Sequence, residues 1–186
     1  YNNLNLNIKN LINMSKQLPI WAQDFAKLIK NLYYYIDKTK QIYDLILKWG
    51  YYYFSRPRRF GKSLMLSVMK ELFLWNKELF TSLYIYDKWN WAETYPVILL
   101  SFAWYEGKKD IQEQIELNWR VIIDDKEKSI WDYGTNLSFG QIIQQVYKEA
   151  WNKQVVILVD EYDKPVIAHL STPNKAEEIR IFFRDF

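Results

Sequence analysis

The chain has 186 residues, of which 49% are hydrophobic and 25% charged, with a net charge of +3. That composition suits one soluble globular domain or a large piece of one, and it excludes a disordered chain. Cysteine is absent, which rules out disulfides and thiolate zinc sites and fits a cytoplasmic location; no apolar run approaches the roughly 18–20 residues that cross a bilayer, so no membrane partner is expected.

The Asn-rich residues 1–17 have no signal-peptide core, and Met14 offers an internal start. They are read as an extension, with the domain at 18–186. Residues 22–32 have helical spacing, with Phe25, Leu28, Ile29 and Leu32 on one face. Thr39–Trp49 predicts a second helix, with Asp37 or Thr39 as its cap. Tyr51–Ser55 reads as a short aromatic strand, and Gly61–Leu74 as a helix striped by Leu64, Val68 and Leu72. Pro96–Phe102 reads as a buried strand and Lys109–Asp124 as a helix. Ser138–Asn152 predicts a helix capped by Ser138. Val155–Val159 has the composition of a central parallel strand covered on both faces. Thr172–Phe186 predicts a last helix, with Thr172 as cap and Pro173 in its first turn. Strands alternating with helices give an α/β class with a mainly parallel sheet.

Two segments carry chemistry. Tyr51–Ser55 runs into Arg56-Pro57-Arg58-Arg59-Phe60-Gly61-Lys62-Ser63, followed by Leu64 and the rest of a helix. Strand, loop, then Gly-Lys-Ser at a helix start is the context of a phosphate-binding (Walker A) loop. Backbone N–H groups and the helix dipole favour an anion there. Lys62 supplies a mobile positive charge for the β- and γ-phosphates, and Ser63 a hydroxyl for Mg²⁺. The first glycine of the usual loop is replaced by Arg56, so the turn must be shaped differently, with Arg58 and Arg59 as phosphate or intersubunit contacts. Taken alone, Gly-Lys-Ser also suits a basic turn before an amphipathic helix.

The second segment is the apolar strand ending in Asp160-Glu161-Tyr162-Asp163-Lys164-Pro165, the form of a Walker B segment. Asp160 would hold Mg²⁺, and Glu161 would orient or deprotonate the attacking water. Such carboxylates belong at the C-terminal end of a parallel strand, where α/β proteins bind ligands. Read alone, the pair is equally a solvated turn after a core strand. Weaker features have plainer readings. His169, the only histidine, suits a surface or capping residue; Ser101 suits an edge polar group; and the aromatic runs Tyr33–Tyr35 and Tyr51–Phe54 suit a core.

Tyr34–Thr39, Tyr53–Leu64, Tyr95–Val97 and Val159–Pro165 together resemble the bacterial AAA-ATPase-like domain family, from about Leu18 to the end of the chain. Arg at the first-glycine position looks like the family's own pattern. The resemblance implies a three-layer α/β/α P-loop fold with ATP and Mg²⁺ as cofactors. It implies a nucleotide site over Arg56–Leu64, catalytic Lys62 and Glu161, and metal-holding Ser63 and Asp160. It also implies a C-terminal domain similar to PD-(D/E)XK nucleases, and with it a link to DNA; a homo-oligomer stays open. A further strand bearing a polar sensor residue is expected beyond residue 186, so the sheet is expected to be incomplete and the chain a fragment.

The leading reading is an ATP-binding, ATP-hydrolysing module that powers or gates a nucleic-acid-acting partner domain. The alternatives are a non-hydrolysing nucleotide-dependent switch or scaffold, and a DNA-phosphate-binding module using Arg56, Arg58 and Arg59. One oddity stands apart: the chain has nine Trp and five Gly. Against the family pattern, Trp21, Trp75, Trp104 and Trp151 fall where glycine is expected, as if UGA codons for glycine had been translated as tryptophan.

Overall fold

The computed structural model describes residues 17–20, 22–48, 50–55, 57, 59–103, 119–123, 126–129 and 139–185. They form the helices α1 (Phe25–Lys30), α2 (Thr39–Ile46), α3 (Lys62–Phe73), α4 (Phe139–Glu149), α5 (Lys164–Ala168) and α6 (Pro173–Asp185). The strands are β1 (Val97–Ser101), β2 (Trp119–Ile123), β3 (Lys126–Ser129) and β4 (Val156–Asp160), and short 3₁₀ turns occupy Lys77–Phe80 and Tyr84–Asp87. The chain divides into two units, one of Tyr1–Val68 with Glu78–Trp89 and the other of Met69–Lys77 with Asn90–Phe186.

In the first unit, the Asp24 carboxylate accepts the Lys27 N–H at 2.8 Å and so sets the start of α1. The helix turns Phe25 and Leu28 inward, and the Phe25 ring meets those of Tyr35 and Phe80 at 5.1 and 5.0 Å. Helix α2 is fixed by a polar staple. Asp37 accepts the Thr39 N–H at 2.8 Å and its hydroxyl at 2.6 Å, and its other oxygen accepts the Tyr84 N–H at 2.7 Å. The fully buried Thr39 hydroxyl oxygen in turn accepts the Ile85 N–H at 3.2 Å. Lys38 holds the formal cap position with no side-chain bond, so Asp37 caps from one residue earlier, and Thr39 is the first helical residue. Burial pushes the Asp37 carboxyl up, but the bonds from Thr39 and Tyr84 outweigh it and hold the group below its ordinary value.

The strand expected at Tyr51–Ser55 does not form. These residues are irregular, with Tyr51, Tyr52 and Tyr53 exposed. A strand exists only within a hydrogen-bonded ladder, and no described strand pairs with this one.

The second unit is built on β1. Its residues Val97, Ile98 and Leu100 are buried on both faces, and complete burial of one such side chain contributes about 1.5–3 kcal/mol. The sheet order is β3-β2-β1-β4. β1 pairs in parallel with β4 only, while β1 with β2 and β2 with β3 are antiparallel. The sheet is therefore mixed, which corrects the expectation of a mainly parallel one. The cause lies in residues 119–123. The sequence pattern predicts the end of a helix there, but Val121, Ile122 and Ile123 are consecutive β-branched residues that pack better on a pleated surface, and they pair back on β1. Residues 109–118 of that expected helix lie outside the described residues.

A second correction concerns β4, which was expected at the centre. Among the described residues it is an edge strand, with Ile157 38% exposed. Helix α4 lays Ile142 and Val146, with Ala150 just past its end, against Ile98, Leu100 and Phe102 and against Val121 and Ile123. Phe183 of α6 meets Phe102 edge-on at 5.2 Å. The sequence reading missed α5, whose Pro165 falls in the first turn, where a proline's missing N–H costs nothing. Thr172 does accept the Ala176 N–H through its carbonyl at 3.1 Å, but its hydroxyl turns back to the His169 carbonyl. Ser138, the expected cap of α4, and residues 1–16 lie outside the described residues. No helix among the described residues is long and apolar enough to cross a membrane.

Candidate functional site

The basic loop ends where α3 begins. Gly61 has φ +73°, and the Met65 N–H donates to its carbonyl at 3.0 Å, closing the first helical turn. A Cβ on Gly61 would meet nothing within 4 Å. The glycine is thus called for by its left-handed backbone and not by crowding. Arg59, two residues earlier, also lies at positive φ (68°), so the chain coils tightly before the helix even though the loop has only one glycine. Phe60 between them is 62% exposed, and Pro57 is exposed. An α-helix presents its first N–H groups and the positive end of its dipole at its start. Here that start is Lys62-Ser63-Leu64. Arg56 and Arg58 lie outside the described residues.

The acidic pair is held by the sheet. Asp160 is the last residue of β4 and lies opposite Ser101 of β1, and its carbonyl accepts the Phe102 N–H at 3.1 Å. Its carboxylate accepts the Glu161 N–H at 3.0 Å. Glu161 sits at φ 49°, a left-handed conformation that costs a non-glycine residue about 1–2 kcal/mol. Strain of this kind at the end of a strand marks a candidate functional residue. The turn places the Glu161 side chain in solvent, with the Lys164 ammonium 3.9 Å from its carboxylate. Lys164 also donates to the Ala103 carbonyl just beyond β1, so one side chain ties the acidic turn to the neighbouring strand end.

Lys164 was not singled out from the sequence. The signal was its three-residue spacing from Glu161 at the start of a helix, where side chains of opposite charge face one another. Tyr162 and Asp163, the next residues of the turn, line a cleft of about 310 Å³ with Val166, Ile167, Arg180 and Phe183. Ser101 is a local polar group, its hydroxyl oxygen accepting the Ala103 N–H at 3.3 Å.

The structure therefore gathers Arg59, Phe60, Gly61, Lys62, Ser63 and Leu64 at one helix start in the first unit. It gathers Asp160 and Glu161 with Lys164 at one strand end in the second. Among the described residues no three His, Asp or Glu side chains form a ready-made metal cage. The hydroxyl of Ser63 and the carboxylate of Asp160 are hard oxygen donors. Each is, taken by itself, the kind of donor that Mg²⁺ takes, since that ion keeps most of its water and uses one or two protein oxygens beside phosphate.

A family model described as "Predicted AAA-ATPase" (AAA-ATPase-like) matches residues 19–186. A protein from Azotobacter chroococcum mcd 1, named "Uncharacterized protein in vnfD 5′ region", is 40% identical over 172 residues. The match covers 89% of this chain and 32% of that relative, so the chain spans about a third of the relative's length. No solved structure matches significantly.

Proposed function

The chain belongs to the AAA-ATPase-like family, and on that premise we propose that it binds ATP through Arg56–Leu64 and, within the full-length protein, hydrolyses it. The observation that carries the reading is the left-handed Gly61 leading directly into α3 at Lys62-Ser63, a helix start shaped to receive an anion. The first-turn N–H groups hold the phosphates, and Lys62 neutralises the charge that builds on the β- and γ-oxygens. Ser63 and Asp160 are the oxygen donors that would hold Mg²⁺, which would supply neutralisation of the phosphate charge. Glu161 accepts a hydrogen bond from the attacking water and then its proton, with Lys164 steadying the carboxylate. Asp160 ends, and Glu161 directly follows, a strand parallel to its neighbour, the usual ligand edge of an α/β sheet. In the longer protein this chemistry powers or gates a partner domain similar to PD-(D/E)XK nucleases that acts on DNA.

The test is a titration of Mg-ATP into the full-length protein beside its Lys62→Ala variant. Loss of a charge-assisted phosphate contact is expected to weaken binding about 10–100-fold. Equal affinity in both proteins would overturn the phosphate-loop reading. Salt-sensitive DNA binding indifferent to ATP would favour a DNA-phosphate module instead.

A further inference from the structure

Two helices end in the same way. At the end of α3, the Asn76 N–H donates to the Glu71 carbonyl at 3.1 Å and the Trp75 N–H to the Leu72 carbonyl at 3.2 Å. At the end of α4, the Asn152 N–H donates to the Tyr147 carbonyl at 2.8 Å and the Trp151 N–H to the Lys148 carbonyl at 3.2 Å. Each pair of bonds, reaching back five and three residues, is the Schellman motif, whose pivot residue is left-handed and is usually glycine. The pivots here are Trp75 at φ 66° and Trp151 at φ 57°. Both are followed by Asn-Lys.

The two indoles are 48% and 85% exposed, so they fill no core, and a large side chain on a left-handed residue carries a steric penalty. The described tryptophans that are half-buried, Trp89 and Trp91, have no positive φ. Glycine is correspondingly scarce: the chain has five, where a fraction of about 7% gives roughly 13. The nine tryptophans bring the combined count close to that figure. UGA differs by one base from the glycine codon GGA and by one base from the tryptophan codon UGG.

We infer that residues 75 and 151 are glycine in the protein as its own cell makes it, encoded by UGA and read there as glycine. Trp21 and Trp104 lie outside the described residues. Leu32 pivots a third motif of this kind, at φ 55°, with the Tyr33 N–H donating to the Leu28 carbonyl at 3.0 Å. A left-handed pivot alone therefore does not prescribe glycine, and the codon must decide.

The experiment reads the codons at positions 75 and 151 and the masses of the two peptides in protein purified from its natural host. UGA codons with glycine in both peptides are expected. UGG at either position, or tryptophan in either peptide, overturns the inference. A second measurement tests the geometry separately in the full-length recombinant protein. Trp75→Gly and Trp151→Gly should each raise the folding equilibrium constant about tenfold, whereas Trp→Ala, which keeps the Cβ, should recover much less. No gain from glycine at either site would remove the structural ground for the inference.

Discussion

The basic loop before α3 and the acidic turn after β4 are both tight turns into a helix with a left-handed residue, yet they are held in different ways. In the described part of the loop, the turn is made by backbone conformation. Arg59 and Gly61 sit at positive φ, Phe60 is exposed, and the strand expected before it is absent. The turn is anchored from outside. Asp160 is locked in register against Ser101, and Lys164 binds both the Ala103 carbonyl and Glu161. A ladder fixes the place of a carboxylate through a neighbouring strand, whereas the described part of the loop turns on its own positive-φ residues. Substitutions in the turn should therefore act on chemistry and those under it on folding.

Glu161→Gln tests that division most sharply. If the carboxylate is the base, ATP turnover by the full-length protein falls about 10²–10⁴-fold while Mg-ATP affinity is kept. Unchanged turnover would remove Glu161 from the reaction. Next comes the frame beneath the turn. Leu100→Ala opens a cavity in the strand beside β4 and should cost about 2–5 kcal/mol in denaturant unfolding. A loss well under 1 kcal/mol would mean that β1 does not anchor the acidic strand.

The polar staple of the first unit offers a smaller, pH-dependent effect. Asp37 has its carboxyl held below the ordinary value. Its contribution to stability is therefore complete above the unfolded carboxyl value of about 3.9, and it is lost as pH falls through the lower folded value. Asp37→Asn should flatten that acid limb in denaturation midpoints compared between neutral pH and about pH 3. An acid limb unchanged in the variant would assign it to other carboxylates. The smallest effect is expected at Lys164→Met. Its ion pair with Glu161 is half exposed and is worth at most about 1 kcal/mol, so turnover should fall by no more than a few-fold. A loss as large as that of Glu161→Gln would give Lys164 a direct part in the reaction.

The chain's own order determined much of this. The stripe of Leu64, Val68 and Leu72 set α3, the run of aliphatic residues at 155–159, four of them β-branched, set β4, and Gly61-Lys62-Ser63 and Asp160-Glu161 marked the two turns. These are local signals, because side-chain spacing and backbone freedom act over a few residues. Tertiary structure decided what neighbours must decide. Tyr51–Ser55 has strong strand formers but pairs with no described strand and stays irregular, while residues 119–123, where the sequence predicts helix, find β1 and become a strand. The parallel or antiparallel sense of each pair, the edge place of β4 among the described strands and the bond from Lys164 to Ala103 likewise depend on residues far apart in the chain. A hydrogen-bonded ladder needs two strands, and no window of sequence contains both.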